Sequence, residues 1–199
     1  MKVLVCCLTY GNRPLDIIHS NLERAGYPFN LRFINVEGIA NALNDGIYEV
    51  EGYDAIAYLA NDIREPDNWL KKKVEALLNY PNAGIIASSL GYVENQIRSQ
   101  HIISNWLISK SLIDRIGIFN ESMFPYGPID LDYCERANVA GFCTYYCVDC
   151  MAEHFTSENN NTEYGYNKQD MIAKYWKQHE EELLQYRNGT KDIRHGKNL

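Results

Sequence analysis

Ala55-Ile56-Ala57-Tyr58-Leu59-Ala60-Asn61-Asp62-Ile63 carries the clearest fold signal in the chain. Residues 55 to 59 are apolar without a break, the pattern of a strand covered on both faces. Such a strand belongs inside a mostly parallel sheet with helices on each side. The stretch then turns abruptly polar at Asn61 and Asp62. In an open parallel sheet, ligands bind beyond the carboxyl ends of the strands, where these two residues stand.

Working outward, strand and helix patterns alternate. Lys2 to Leu8 reads as a strand, and Pro14 to Ala25 as a helix with Leu15, Ile18 and Leu22 on one face. Leu31 to Val36 is a second strand, and Ile39 to Val50 a helix carrying Ile39, Leu43 and Ile47 at four-residue intervals. After the deciding strand come a helix from Trp69 to Leu78 and a fourth strand from Gly84 to Ser88. This βαβαβαβ order predicts an α/β domain whose mostly parallel central sheet is flanked by helices. The second half is less regular. It reads as a strand over Ser104 to Lys110, a short helix over Ser111 to Ile116, and a glycine- and proline-rich turn near Phe124 to Pro128. A helix from about Leu131 stops before Gly141, and a β-rich cysteine stretch follows from Phe142 to Val148. Lys168 to Tyr186 is amphipathic through Ile172, Tyr175, Trp176, His179, Leu183 and Tyr186. The reading divides the chain into a catalytic and binding domain over 1–156 and a C-terminal loop and helix over 157–199. That helix packs on the domain or on a partner, and the residues from Asn188 onward are expected to fray.

Length and composition bound the function. A chain of 199 residues has room for one domain, and 46% hydrophobic residues suffice for its core. The formal net charge of -7 argues against general affinity for nucleic acid or anionic membrane. The N-terminal apolar run is too short for a cleaved signal, and no stretch is long enough to span a bilayer, so the expected location is cytoplasmic. The six cysteines lack paired Cys-x-x-Cys knuckles, which favours buried thiols over a metal cluster. Three Asn-x-Ser/Thr triplets, at Asn120, Asn160 and Asn188, read as chance matches.

Three polar segments follow the first three strands: Thr9-Tyr10-Gly11-Asn12-Arg13-Pro14, Glu37-Gly38 and Asn61-Asp62. They converge on one edge of the predicted sheet. No Gly-x-Gly-x-x-Gly turn and no phosphate-binding P-loop is present, so a metal-bridged diphosphate is the natural substitute. Asp62 has two readings, as an oxygen ligand for a hard cation or as a turn and cap residue before Trp69. Asp130 and Asp132 lie where a helix begins, so each is either a cap favoured by the helix dipole or a base held at a pocket. His154 follows the last β-rich stretch, as a surface group or a ligand.

Together these segments resemble family 2-type glycosyltransferases of the GT-A fold over about residues 1 to 156. Thr9-Tyr10-Gly11-Asn12-Arg13 is similar to the family's first-strand loop, and Ala40-Asn41-Ala42-Leu43-Asn44-Asp45-Gly46-Ile47 to its second helix. Leu59-Ala60-Asn61-Asp62-Ile63, with Pro66 and Trp69-Leu70, resembles the Asp-x-Asp region. Ile116-Gly117-Ile118-Phe119-Asn120-Glu121 resembles the Gly-x-Phe-Asp-Glu segment. Asp130-Leu131-Asp132-Tyr133-Cys134-Glu135-Arg136 resembles the segment bearing the base, and Glu153-His154 the late histidine element. The resemblance implies that Thr9, Tyr10 and Glu37 hold the nucleoside, with Arg13, Asn41 and Asn61 completing the donor-binding set. It implies Asp62 as ligand of a divalent metal, Mn²⁺ or Mg²⁺, with His154 as second ligand, and Asp130 as general base. Tyr92 to Trp106 would shape the sugar and acceptor pocket. Two positions depart from the pattern: Ala60 replaces the first carboxylate of Asp-x-Asp, and Ile129 replaces the glutamate before the base.

The implied reaction is transfer of a sugar from a nucleotide-diphospho-sugar, UDP by family analogy, to an acceptor hydroxyl with inversion. The acceptor implied is a hydroxyl of a glycan, a protein or a lipid-linked molecule. A nucleotidyltransferase should carry a glycine- and lysine-bearing loop after the first strand, which Tyr10 to Pro14 lacks. The alternative is a catalytically degenerate nucleotide- or sugar-binding module on the same fold.

Overall fold

The computed structural model describes residues 1–9, 14–90, 105–155 and 167–196. Its centre is a six-stranded sheet built from β1 (Val3–Leu8), β2 (Asn30–Ile34), β3 (Ala55–Leu59), β5 (Ala83–Ser89), β6 (Trp106–Ser109) and β7 (Cys143–Met151). The spatial order is β2-β1-β3-β6-β5-β7. β1 pairs in parallel with both β2 and β3, and β5 in parallel with β7. β6 lies between β3 and β5 and is antiparallel to both. The sheet is therefore mostly parallel, as expected, with one reversed strand at its middle.

Helices cover both faces. The alternating side chains of β1 divide between them: Leu4 and Cys6 enter one core, while Val3, Val5 and Cys7 enter the other. The first core receives Leu43 and Ile47 from α2 (Ile39–Ile47), Leu112 and Ile116 from α4 (Lys110–Ile116), and Tyr133 from α5 (Ile129–Val139). The second receives Ile18 from α1 (Asp16–Glu23) and Trp69, Leu70 and Val74 from α3 (Trp69–Asn79). All six cysteines are buried, and burial pushes the Cys6 and Cys7 thiols up to about 12, so both are protonated packing groups.

Two short strands are absent from the sequence reading. β4 (Ile63–Arg64) and β8 (Glu153–His154) form a separate antiparallel ribbon, with Ile63 opposite His154. At two residues each, they carry no periodicity to read. Helix α5 begins at Ile129, earlier than its pattern suggested, which places Asp130 inside the first turn.

The long helix α6 (Lys168–Arg187) packs on α5, burying His179 and Tyr186 while leaving Trp176 and Leu184 exposed. After α6 the chain does not leave the domain at once. Up to residue 196 the chain returns to the core: Ile118 N donates to His195 O at 3.1 Å, and His195 N to Ile116 O at 3.0 Å. Gly117 makes room for this return, since a Cβ there would stand 1.9 Å from His195 O, at a φ of +75° that favours glycine. Polar composition alone does not reveal that these backbone groups have waiting partners.

His195 is held at a pKa of about 4 by burial and by neighbouring Arg136, below the usual 6.5, and burial lowers His179 in the same direction. In the window from pH 6.5 down to about 4, the unfolded chain binds more protons than the folded one, so stability falls with pH. The melting temperature should therefore drop from pH 6.5 toward 4, and the drop should be smaller in His195→Gln. Equal acid sensitivity in the two proteins, followed by calorimetry, would remove His195 from the account.

Candidate functional site

The carboxyl ends of β1, β2 and β3 point the same way, which fixes where their following loops meet. Thr9 stands at the end of β1. Its backbone N–H and its hydroxyl both donate to Ile34 O, at 2.8 and 3.0 Å, so this side chain ties β1 to β2. Tyr10 and Arg13 lie outside the described residues, as do residues 92–104 of the segment assigned to the acceptor pocket. After β2, Glu37 is exposed at the edge, and Asn41 Nδ2 reaches back to Glu37 O at 3.2 Å. Gly38 turns the chain into α2 at φ +84°, and a Cβ there would lie 2.7 Å from the Phe124 ring. Ile39 N donates to Pro125 O at 3.1 Å. The loop that leads to Asp130 thus leans directly on the start of α2, beside Glu37 and Asn41.

After β3, Asn61 is buried and its Nδ2 has no hydrogen-bond partner in the protein. A buried amide donor without a partner costs about 1–3 kcal/mol, so an oxygen-rich ligand would be stabilised here. Asp62 comes next. The β4–β8 ribbon sets it against the late histidine: Phe155 N donates to Asp62 O at 2.8 Å, and His154 Nε2 lies 3.5 Å from Asp62 Oδ2. Both side chains keep a path to solvent, with 15% of Asp62 and 35% of His154 exposed. The two residues that the resemblance assigns to one cation are therefore neighbours in space. One carboxylate oxygen and one imidazole nitrogen form a donor set suited to Mn²⁺, with the remaining positions left for phosphate and water oxygens. Among the described residues, no cluster of three or more His, Cys, Asp or Glu exists that could hold an ion by protein ligands alone. Beside the pair, Arg64 lies over the Phe155 ring at 4.6 Å and pairs with Glu153 at 3.3 Å.

The two aspartates at the start of α5 separate cleanly. Asp130 is half-buried in the first turn. Asp132 is fully buried and binds Arg136 Nε at 2.8 Å, one turn further along the helix. Arg136 also donates to Ile116 O at 2.9 Å, Ile118 O at 3.0 Å and Ile193 O at 3.3 Å. Asp132 is a structural group that orients this guanidinium. Sequence reasoning also passed over Asn44. Its Oδ1 accepts from Phe119 N at 2.7 Å, and its Nδ2 donates to Phe119 O at 3.0 Å and Glu121 Oε1 at 2.8 Å. Two of the motif-bearing segments thus clasp each other through one side chain. The signal for this was an amide among the apolar positions of α2.

The fold is that of the GT-A glycosyltransferases, and solved structures match it at low identity. A mannosyltransferase from Pyrobaculum calidifontis, in complex with GDP-Man and Mn²⁺, is 15% identical with a TM-score of 0.63; the match covers 99% of this chain and 65% of that one. Drosophila β-1,4-galactosyltransferase 7, in complex with manganese, UDP-Gal and xylobiose, is 14% identical with a TM-score of 0.61, over 86% of this chain and 79% of that one. GalNAc-T7 with UDP, GalNAc and Mn²⁺ is 9% identical with a TM-score of 0.67, over 96% of this chain and 54% of that one. No protein-family model matches the sequence, and no curated protein matches it either. No helix among the described residues is long and apolar enough to cross a membrane.

Removing one partner of a buried ion pair costs about 3–5 kcal/mol, while a dipole-stabilised carboxylate in a first turn contributes about 1 kcal/mol or less. Urea unfolding should therefore show a large loss for Asp132→Ala and a small one for Asp130→Asn. Similar losses in both would make Asp130 a structural group as well.

Proposed function

We propose that the protein transfers a sugar from a nucleotide-diphospho-sugar donor to an acceptor hydroxyl. The observation that carries this reading is the approach of His154 to Asp62 at the carboxyl edge of the sheet, on a GT-A fold. Asp62 and His154 would hold a divalent cation, Mn²⁺ or Mg²⁺, through one oxygen and one nitrogen. The cation would supply charge neutralisation at the nucleoside diphosphate as the sugar departs. Thr9, Glu37 and Asn41 line the edge where the nucleoside would sit, with Tyr10 and Arg13 assigned to the same role by the resemblance. Asn61 Nδ2 would donate its unpaired hydrogen to a donor oxygen.

Asp130 would accept the proton of the acceptor hydroxyl as that oxygen attacks the anomeric carbon from the side opposite the leaving group, which inverts the configuration. The buried Asp132–Arg136 pair, one turn further on, would keep the start of α5 fixed during this step. Binding the donor through its nucleotide positions the reacting carbon near Asp130 and converts much of the barrier into prepaid orientation. The UDP carrier and the inverting outcome rest on the family resemblance. Ala60 and Ile129, at positions where relatives place carboxylates, favour a second reading as a donor-binding module without turnover.

Release of nucleoside diphosphate from a panel of UDP- and GDP-sugars, with Mn²⁺, with Mg²⁺ and with chelator, tests the proposal. Metal-dependent release from at least one donor is expected, and Asp130→Asn should lower it by about 10²-fold or more while donor binding persists. Asp62→Ala should abolish the metal response. Binding of UDP without turnover across the panel would select the binding-module reading, and absence of binding would overturn both.

A further inference from the structure

Asp62 stands on a short loop between β3 and the β4–β8 ribbon, and this loop is fastened from beneath at three backbone groups. Ala60 N donates to Asn105 Oδ1 at 2.7 Å. Ile63 O accepts from Asn21 Nδ2 at 2.8 Å, and Glu65 N donates to Asn21 Oδ1 at 2.8 Å. Asn21 lies on α1 and is itself fully buried, with its backbone O accepting from Trp69 Nε1 at 2.7 Å. Asn105 is buried at the start of β6, and its Nδ2 donates to Glu65 Oε1 at 2.9 Å. Glu65 in turn accepts from Lys73 Nζ at 3.0 Å and from Ser88 Oγ at 2.8 and 2.6 Å. Lys73 closes the circuit by donating to Asn105 O at 3.1 Å.

We infer that Asn105 and Asn21 are positioning residues for the Asp62 metal-binding loop, with the buried Glu65–Lys73 ion pair holding Asn105 in its orientation. This inference rests on the reading of Asp62 and His154 as metal ligands. The physical case is the geometry of an amide side chain. Each asparagine offers one acceptor and one donor at a fixed separation. Asn105 spends its acceptor on the loop backbone and its donor on Glu65, so rotating it would break both bonds. Asn21 spends both groups on the loop, at either side of Arg64. The three fastened groups, Ala60 N, Ile63 O and Glu65 N, bracket Asp62 along the chain. A cation site with only two protein ligands has little tolerance for loop movement, because displacing either ligand removes half of the protein's contribution.

The test is Mn²⁺ binding in the presence of UDP, read from the electron paramagnetic resonance of free Mn²⁺, together with amide exchange of residues 60 to 65 in the metal-free protein. Asn105→Ala and Asn21→Ala should each weaken Mn²⁺ affinity by about 10- to 100-fold and speed exchange at Ala60 or Glu65 respectively. Asn21→Ala leaves the Glu65 carboxylate fully paired, so it serves if Asn105→Ala does not fold. Leu112→Ala, a core truncation on the opposite face, should lower the melting temperature while leaving Mn²⁺ affinity unchanged. Wild-type affinity in both asparagine variants would overturn the inference while leaving the metal reading intact. Affinity that merely tracks melting temperature across all three variants would do the same. A wild-type protein that binds no Mn²⁺ would overturn the metal reading, and this inference with it.

Discussion

Glu65 and Lys73 are both fully removed from water, and much of the surrounding structure follows from the need to satisfy them. Desolvating two charges costs several kcal/mol per ion, and their attraction repays this only when the remaining hydrogen-bonding capacity is also met. Here Ser88 on β5 and Asn105, just before β6, both bond the Glu65 carboxylate, and Asn105 also holds the loop after β3. The three adjacent strands β3, β6 and β5 are thereby joined at the end where the candidate site lies. The ion pair therefore fixes the sheet edge and the loop above it in the same arrangement, and Trp69 completes its surroundings with its ring 5.0 Å from Lys73 Nζ.

A second buried pair does the corresponding work on the other face. Asp132 orients Arg136, whose guanidinium satisfies carbonyls from the end of α4, the following turn and the C-terminal return. A stack of Trp106, Phe119 and Tyr133 runs beside it, with ring centroids 5.4 and 3.9 Å apart. Asn44 ties this region to α2. The candidate site thus lies between two rigid supports, one beneath the loop bearing Asp62 and one beneath the helix bearing Asp130. Support of this kind is what holds functional side chains within the narrow geometric tolerance that catalysis demands.

The local electrostatics suit an anionic donor despite a formal net charge of -7. On the proposed reading, a diphosphate at the edge would meet the Asn61 amide and a cation held by Asp62 and His154. A bound cation is the largest charge in such a site and outweighs the distant surface carboxylates.

The sequence by itself determined the alternation of strands and helices and the sheet edge on which Thr9, Glu37, Asn61 and Asp62 gather. These are consequences of local periodicity and of strand direction, both of which a single chain segment carries. It also placed Asp130 at a helix start. It could not separate the roles of Asp130 and Asp132, because both residues suit a first turn; burial against Arg136 made the distinction. Nor could it insert β6 between β3 and β5 in reverse, since strand order depends on which edges remain open after the helices pack. The polar look of residues beyond Asn188 suggested fraying, yet open carbonyls and amides at Ile116 and Ile118 draw that segment back. The resemblance paired Asp62 with His154, but the ribbon that brings them together is a product of tertiary pairing. Their ribbon joins segments 89 residues apart at the Arg64–Glu153 pair, and strands of two residues leave no pattern in a sequence because pairing, not periodicity, defines them.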